Sequence, residues 1–239
     1  MEAQTKHGVL ITGADAGLGL SLVKCFLQGG YEVFAGLYRS AADLNPLVAE
    51  YGSSLTLISL NVAHMDSVCK AAQQVAGLTD ALEIVINNAG IHLENSKGSL
   101  EQLDLADGHL EQTMDVNSFG PLRVVQQFLP LLEKGRQKLI MNISSEAGSI
   151  TDCRREDQFA YCMSKAALNM QSRILQNYLG PRGFKVLAVH PGWMRTNMGG
   201  PRAPLPAQAA AEAIFKLGLR RWNMEDPMYV DYQGIPLPW

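Results

Sequence analysis

The sequence predicts an α/β protein built on a parallel sheet with helices on both faces. Short apolar runs rich in β-branched residues alternate with amphipathic stretches along the whole chain. The apolar runs end at turn-forming residues, as at Thr12-Gly13, Asn87-Asn88-Ala89-Gly90, Ser144-Ser145 and His190-Pro191-Gly192. No linker, composition shift or internal repeat divides the chain, so one doubly wound domain over residues 1–239 is expected.

Val9-Leu10-Ile11 reads as the first buried strand. From Gly17 the period turns helical, with Leu18, Leu22, Val23 and Phe26 on one stripe, and Gly29-Gly30 closes that helix. Residues 31–37 give the second strand. Residues 41–51 give a helix whose start Pro46 obscures. Strands are expected at 55–60 and 82–86, with a helix at 67–76 between them. A polar loop at 94–98 precedes a long helix at 110–132, with Pro121 as its kink. A fifth strand spans 138–143, and 151–158 is a charged, exposed segment. A helix at 159–179 is broken by Pro181 and Gly183. The sixth strand spans 184–189, a proline-rich loop leads to a helix at 207–219, and 228–230 forms a seventh strand at an edge.

Apolar residues make up 47% of the 239 and charged residues 18%, the composition of a folded globular chain. A net charge of −3 with dispersed Lys and Arg gives no reason to expect nucleic acid. Cys25, Cys69, Cys153 and Cys162 fit neither zinc-site nor disulfide-framework spacing, which points to a reducing, cytoplasmic setting and no metal. The polar N-terminus and the lack of a long apolar run give no sign of a signal peptide or membrane span.

Two stretches carry the chemistry. Thr12-Gly13-Ala14-Asp15-Ala16-Gly17-Leu18-Gly19 lies between a strand and a helix, where glycines allow a tight turn and a helix N-terminus attracts phosphate. Its alternative is a purely structural turn. Tyr161 and Lys165 stand four residues apart, on one helical face. An ammonium beside a phenol favours the phenolate, so Lys165 is expected to lower the Tyr161 pKa. Taken singly, the alternative is a surface tyrosine with a helix lysine. His92 follows the Asn-Asn-Ala-Gly turn and His190 ends a strand; both read as loop or packing residues, having no ligand or triad spacing, with a place lining the site as the alternative.

Together with Asn87-Asn88-Ala89-Gly90, Asn117, Ser145 and Pro191-Gly192, these stretches resemble the short-chain dehydrogenase/reductase family over nearly the whole chain. The motifs are most similar to its C-factor, sniffer and carbonyl-reductase branch. The resemblance implies a Rossmann domain and a nicotinamide cofactor. It implies hydride transfer between C4 of the nicotinamide and a carbonyl or alcohol substrate. Ser145, Tyr161, Lys165 and Asn117 would be catalytic: Tyr161 as general acid/base, Lys165 tuning it and binding ribose, Ser145 on the carbonyl oxygen, Asn117 on a water. The second serine of Ser144-Ser145 is the one that fits the pattern. Gly13, Asp15, Gly17, Leu18, Gly19, Arg39, Asn61, Val62, Asn88, Ala89, Gly90, Tyr161, Lys165, Pro191, Gly192 and Thr196 would bind cofactor. Asn61 departs from the family's usual aspartate, and the interval from Ser145 to Tyr161 is longer than usual. A dinucleotide-binding signalling protein of C-factor type is the alternative.

Two further expectations concern cofactor choice and assembly. The second strand ends Leu37-Tyr38-Arg39-Ser40 with no carboxylate, and arginine suits a 2′-phosphate, so NADP is expected over NAD. The alternative is a solvated loop arginine. The helices at 110–132 and 159–179 are apolar on more than one face, which predicts a homodimer, with a homotetramer as the alternative.

Overall fold

The structure is a computed structural model that describes residues 7–93 and 100–239. The polar loop expected at 94–98 and the N-terminal residues 1–6 lie outside the described residues. Seven parallel strands form the central sheet: β1 (Gly8–Thr12), β2 (Glu32–Leu37), β3 (Leu55–Ser59), β4 (Ile84–Asn87), β5 (Leu139–Ile143), β6 (Lys185–His190) and, after two short strands, β9 (Tyr229–Asp231). Their order is β3-β2-β1-β4-β5-β6-β9. The order reverses at β1, so a crevice opens outside the carboxyl ends of β1 and β4, the place where such sheets bind ligands. The short strands β7 (Met194–Arg195) and β8 (Leu205–Pro206) pair with each other beyond that crevice.

Helices cover both faces because the strands are apolar on both. Val9 and Ile11 of β1, with Ile84 and Ile86 of β4, enter one core beneath α1 (Gly17–Gln28) and α7 (Ala207–Leu219). Leu10 and Val85 point the other way, into a core shared with α3 (Met65–Ala76), α5 (Gly120–Lys134) and α6 (Phe159–Leu179). Phe26 of α1 meets Phe215 of α7 edge to face at 4.9 Å. α2 (Asn45–Tyr51) is shorter than the sequence suggested. Its helix begins only where Pro46 can occupy the first turn, where no amide is needed.

The long helix expected at 110–132 is interrupted, though not at Pro121. It runs as α4 (His109–Met114), a π-helical turn over Asp115–Phe119, and α5. The Gly120 N–H reaches back five residues to the Asp115 carbonyl. Pro121 then opens α5 without an amide of its own. A π turn inserts extra backbone and re-aims side chains. Here the re-aimed residue is Asn117, which is buried.

Among the described residues no helix is long and apolar enough to cross a membrane. No group of His, Cys, Asp and Glu among them could hold a metal ion.

Candidate active site

The glycine turn closes β1 and opens α1. Gly13 and Gly17 both take positive φ, +61° and +54°, which side chains rarely allow. A Cβ on Gly19 would collide with the Gly13 carbonyl oxygen, so this position admits only glycine without backbone movement. Asn88 fixes the turn against β4: its Nδ2 donates to the carbonyls of Thr12 (2.9 Å) and Gly13 (3.0 Å). Thr12 Oγ1 accepts from the amides of Asn88 and Ala89, each at 3.0 Å. No side chain caps the start of α1, and its first turn carries no acid. Its free amides and positive dipole end suit a phosphate, so the residues present fit a dinucleotide. Leu18 is core, beneath the turn.

Other expected cofactor residues surround the same crevice. Asp15 Oδ2 accepts from the Arg39 amide at 3.1 Å, which ties the end of β2 to the glycine turn. The Arg39 side chain is exposed there. Asn61 Oδ1 accepts from the Ala63 amide, and Val62 packs under Gly120. Thr196 lies across from Gly17, with its Cγ2 at 3.2 Å from where a Gly17 Cβ would stand. Pro191 is buried and Gly192 has φ +82°.

The second cluster gathers at the ends of β4, β5 and α6. Ser144 is buried and donates to Asn169 Oδ1 at 2.6 Å, a structural role. Ser145 faces the other way and is hydrogen-bonded to the Tyr161 phenol. Lys165 is 5% exposed, donates from Nζ to the Ile143 carbonyl at 2.8 Å and lies 5.7 Å from the Tyr161 ring centroid. Burial lowers its pKa to about 8. Asn117 donates to the Ile91 carbonyl (2.9 Å) and Ser164 Oγ (3.0 Å), and accepts from the Ile91 amide (2.8 Å). Gly90 sits between Asn117 and Lys165.

The expected lowering of the Tyr161 pKa is not what the structure shows. Burial raises it and outweighs the hydrogen bond shared with Ser145; Glu146 and Cys162 add to the rise, and Arg155 opposes it. The i, i+4 spacing does put Lys165 on the same side as Tyr161. One of its three ammonium hydrogens goes to the Ile143 carbonyl.

Several further side chains complete this site. The His92 ring packs on Tyr161, centroids 4.7 Å apart. Glu146 Oε2 accepts from Ser145 Oγ at 2.7 Å, and Arg155, from the charged segment at 151–158, donates to Oε1. His190 Nδ1 accepts the Glu146 amide at 3.1 Å, so that nitrogen carries no proton. Burial lowers the His190 pKa despite the nearby carboxylates, so its approach to Glu146 Oε2 at 3.3 Å is not an ion pair near neutrality. Tyr229 donates to the Ser145 carbonyl at 2.6 Å and holds that loop from β9. Of these, His92 after the Asn-Asn-Ala-Gly turn and His190 at a strand end carry a sequence signal, and Arg155 falls in the long interval from Ser145 to Tyr161; Glu146 and Tyr229 carry none.

Comparison with known proteins identifies the family and the fold. A family profile described as short chain dehydrogenase matches residues 7–204. The C-signal protein of Myxococcus xanthus is 37% identical over 163 residues, covering 67% of this chain and 95% of that protein. The carbonyl reductase Sniffer of D. melanogaster superposes with TM-score 0.89 at 29% identity, covering 98% of this chain and all of that one. An NADPH-bound carbonyl reductase from chicken fatty liver gives TM-score 0.88 at 30% identity, covering 98% and 99%.

Proposed function

The chain belongs to the short-chain dehydrogenase family, and on that premise we propose that it is an NADPH-dependent reductase of aldehydes or ketones. The observation that carries the reading is the convergence of Ser145, Tyr161 and Lys165 beside a phosphate-competent glycine turn. A nicotinamide dinucleotide, when bound, supplies the hydride that reduces a carbonyl carbon.

The chain's own residues do the rest. The amides at the start of α1 bind the pyrophosphate, and Arg39 binds the 2′-phosphate at the end of β2. Asp15 keeps Arg39 beside the turn through its backbone amide. Asn61 and Val62 would hold the adenine, and Asn88, Ala89 and Gly90 would line the ribose path. Pro191, Gly192 and Thr196 border the nicotinamide. Tyr161 gives its phenolic proton to the carbonyl oxygen; a phenol carries that proton at neutral pH, and burial raises its pKa further. Ser145 donates to the same oxygen and steadies its developing charge. Lys165, still mostly protonated at pH 7, supplies positive charge beneath the site. Asn117 holds the π turn against Ile91, and so keeps the floor of the site in register.

The apolar residues Phe119, Leu122, Met163, Met170, Ile174 and Tyr178 are exposed on α6, the end of the π turn and the first turn of α5. Their exposure supports a homodimer built on this face. The four cysteines are free, which suits a reducing, cytoplasmic setting.

The similarity to C-signal favours a second reading, a dinucleotide-binding signalling protein with little turnover. Loss of NADPH absorbance with a panel of aldehydes, quinones and diketones separates the two. The reductase reading expects turnover with some of them. NADPH binding without oxidation across the panel supports the signalling reading.

A further inference from the structure

Ser145 has one hydrogen and two lone pairs to offer, and the structure employs all of them. The hydrogen goes to Glu146 Oε2 at 2.7 Å. The oxygen receives the Ala147 amide at 3.1 Å and is bonded to the Tyr161 phenol. An ionised carboxylate only accepts, and Glu146 is held ionised. Burial opposes its charge, but the Ser145 hydroxyl and the Arg155 guanidinium, joined by His190 once that imidazole is protonated, keep its pKa below the usual carboxylate range. Arg155 is itself braced by Gln158 Oε1 at 2.5 Å. The Glu146 side chain is half exposed, beside the reacting groups. A substrate carbonyl oxygen is also only an acceptor, so it competes with Glu146 for the single Ser145 hydrogen.

Resting on the reductase reading, we propose that Glu146 determines substrate specificity, selecting carbonyl compounds that carry a hydroxyl or amine one or two carbons from the carbonyl. That donor takes the place of the Ser145 hydroxyl at Oε2, and the Ser145 hydrogen turns to the carbonyl oxygen. Ser145 Oγ and Glu146 Oε2 are 2.7 Å apart. With hydrogen bonds of about 2.8 Å at either end, a donor and carbonyl oxygen roughly 3–5 Å apart span both groups. That is the spacing inside a hydroxy or amino ketone. A simple ketone breaks the Ser145–Glu146 bond and returns nothing to the carboxylate. The expected discrimination is about ten- to hundred-fold, the range for one hydrogen bond to a charged group.

The test is kcat/KM with NADPH for 2-hydroxyacetophenone and propiophenone, which differ by a hydroxyl in place of a methyl. Wild type, Glu146→Ala and Glu146→Gln are compared. Wild type should favour the hydroxy ketone by at least about ten-fold. In Glu146→Ala the ratio should collapse toward unity, chiefly through faster turnover of propiophenone. Glu146→Gln, a neutral acceptor of the same shape, should fall between and reads the ratio if the alanine variant does not fold. A merely structural Glu146 would slow both ketones alike. An unchanged ratio in the variants, or no wild-type preference in an active enzyme, overturns the proposal alone. No NADPH oxidation with any carbonyl overturns the reductase reading and the proposal with it.

Discussion

Lys165→Met should stop catalysis while leaving the fold as stable or more stable at neutral pH. Lys165 is fully enclosed, and burial takes its pKa from 10.5 to about 8. At about 1.4 kcal/mol per pH unit, that drop means the folded state disfavours the ammonium by roughly 3 kcal/mol. Methionine fills similar space without charge, but orphans the Ile143 carbonyl that Lys165 now satisfies. An unsatisfied buried acceptor costs about 1–3 kcal/mol. The variant should therefore lie roughly 0–2 kcal/mol above wild type at pH 7. The pH dependence is the sharper test. Here folding lowers the pKa, so the unfolded chain binds this proton more tightly. The burial penalty is fully present below about pH 8 and is relieved as the pH rises from there to 10.5. Wild type should gain roughly 3 kcal/mol on the variant across that window, while the cost of the orphaned carbonyl stays constant and cancels. Urea unfolding of both proteins at pH 7 and pH 10.5 measures this difference. A gap independent of pH would show that Lys165 does not carry a buried charge, and the argument would fail.

Arg39→Ala should weaken NADPH by roughly 1.5–3 kcal/mol, the worth of one charge-assisted contact, with little effect on NADH; kcat/KM for both cofactors checks this, and equal losses would show that Arg39 does not read the 2′-phosphate. Gly19→Ala drives a methyl into the Gly13 carbonyl; it should lower the melting temperature and abolish NADPH binding by calorimetry, whereas near-normal binding would remove the turn from the cofactor site. The exposed apolar face of Phe119, Leu122, Met170 and Ile174 should give a homodimer in sedimentation at micromolar concentration; a monomer counts against it.

The strands were legible because each is a short apolar run ended by a turn residue, and a parallel sheet buried on both faces demands just such runs. Tyr161 and Lys165 were legible because helical spacing alone puts them on one side. The kink was misplaced because proline marks where an amide is missing. The helix adapted one turn earlier, over Asp115–Phe119, by widening its hydrogen bonds. The direction of the Tyr161 shift was missed because spacing does not report burial, nor that a main-chain carbonyl takes one of the ammonium hydrogens. Glu146, Arg155 and Tyr229 were hidden for a different reason. Arg155 reaches Glu146 through an irregular segment, and Tyr229 reaches Ser145 from 84 residues away. Neither approach has a period in the sequence.

The central claim is that Tyr161 protonates a carbonyl while NADPH reduces it. Its most direct test is reduction of a ketone with NADPH deuterated at C4, followed by mass analysis of the alcohol, in wild type and Tyr161→Phe. Wild type should deliver one deuterium to carbon. The variant keeps the ring and should bind NADPH with unchanged affinity, yet turn over about 100- to 10,000-fold more slowly, the usual worth of a general acid. Deuterium transfer by Tyr161→Phe at the wild-type rate would contradict the account.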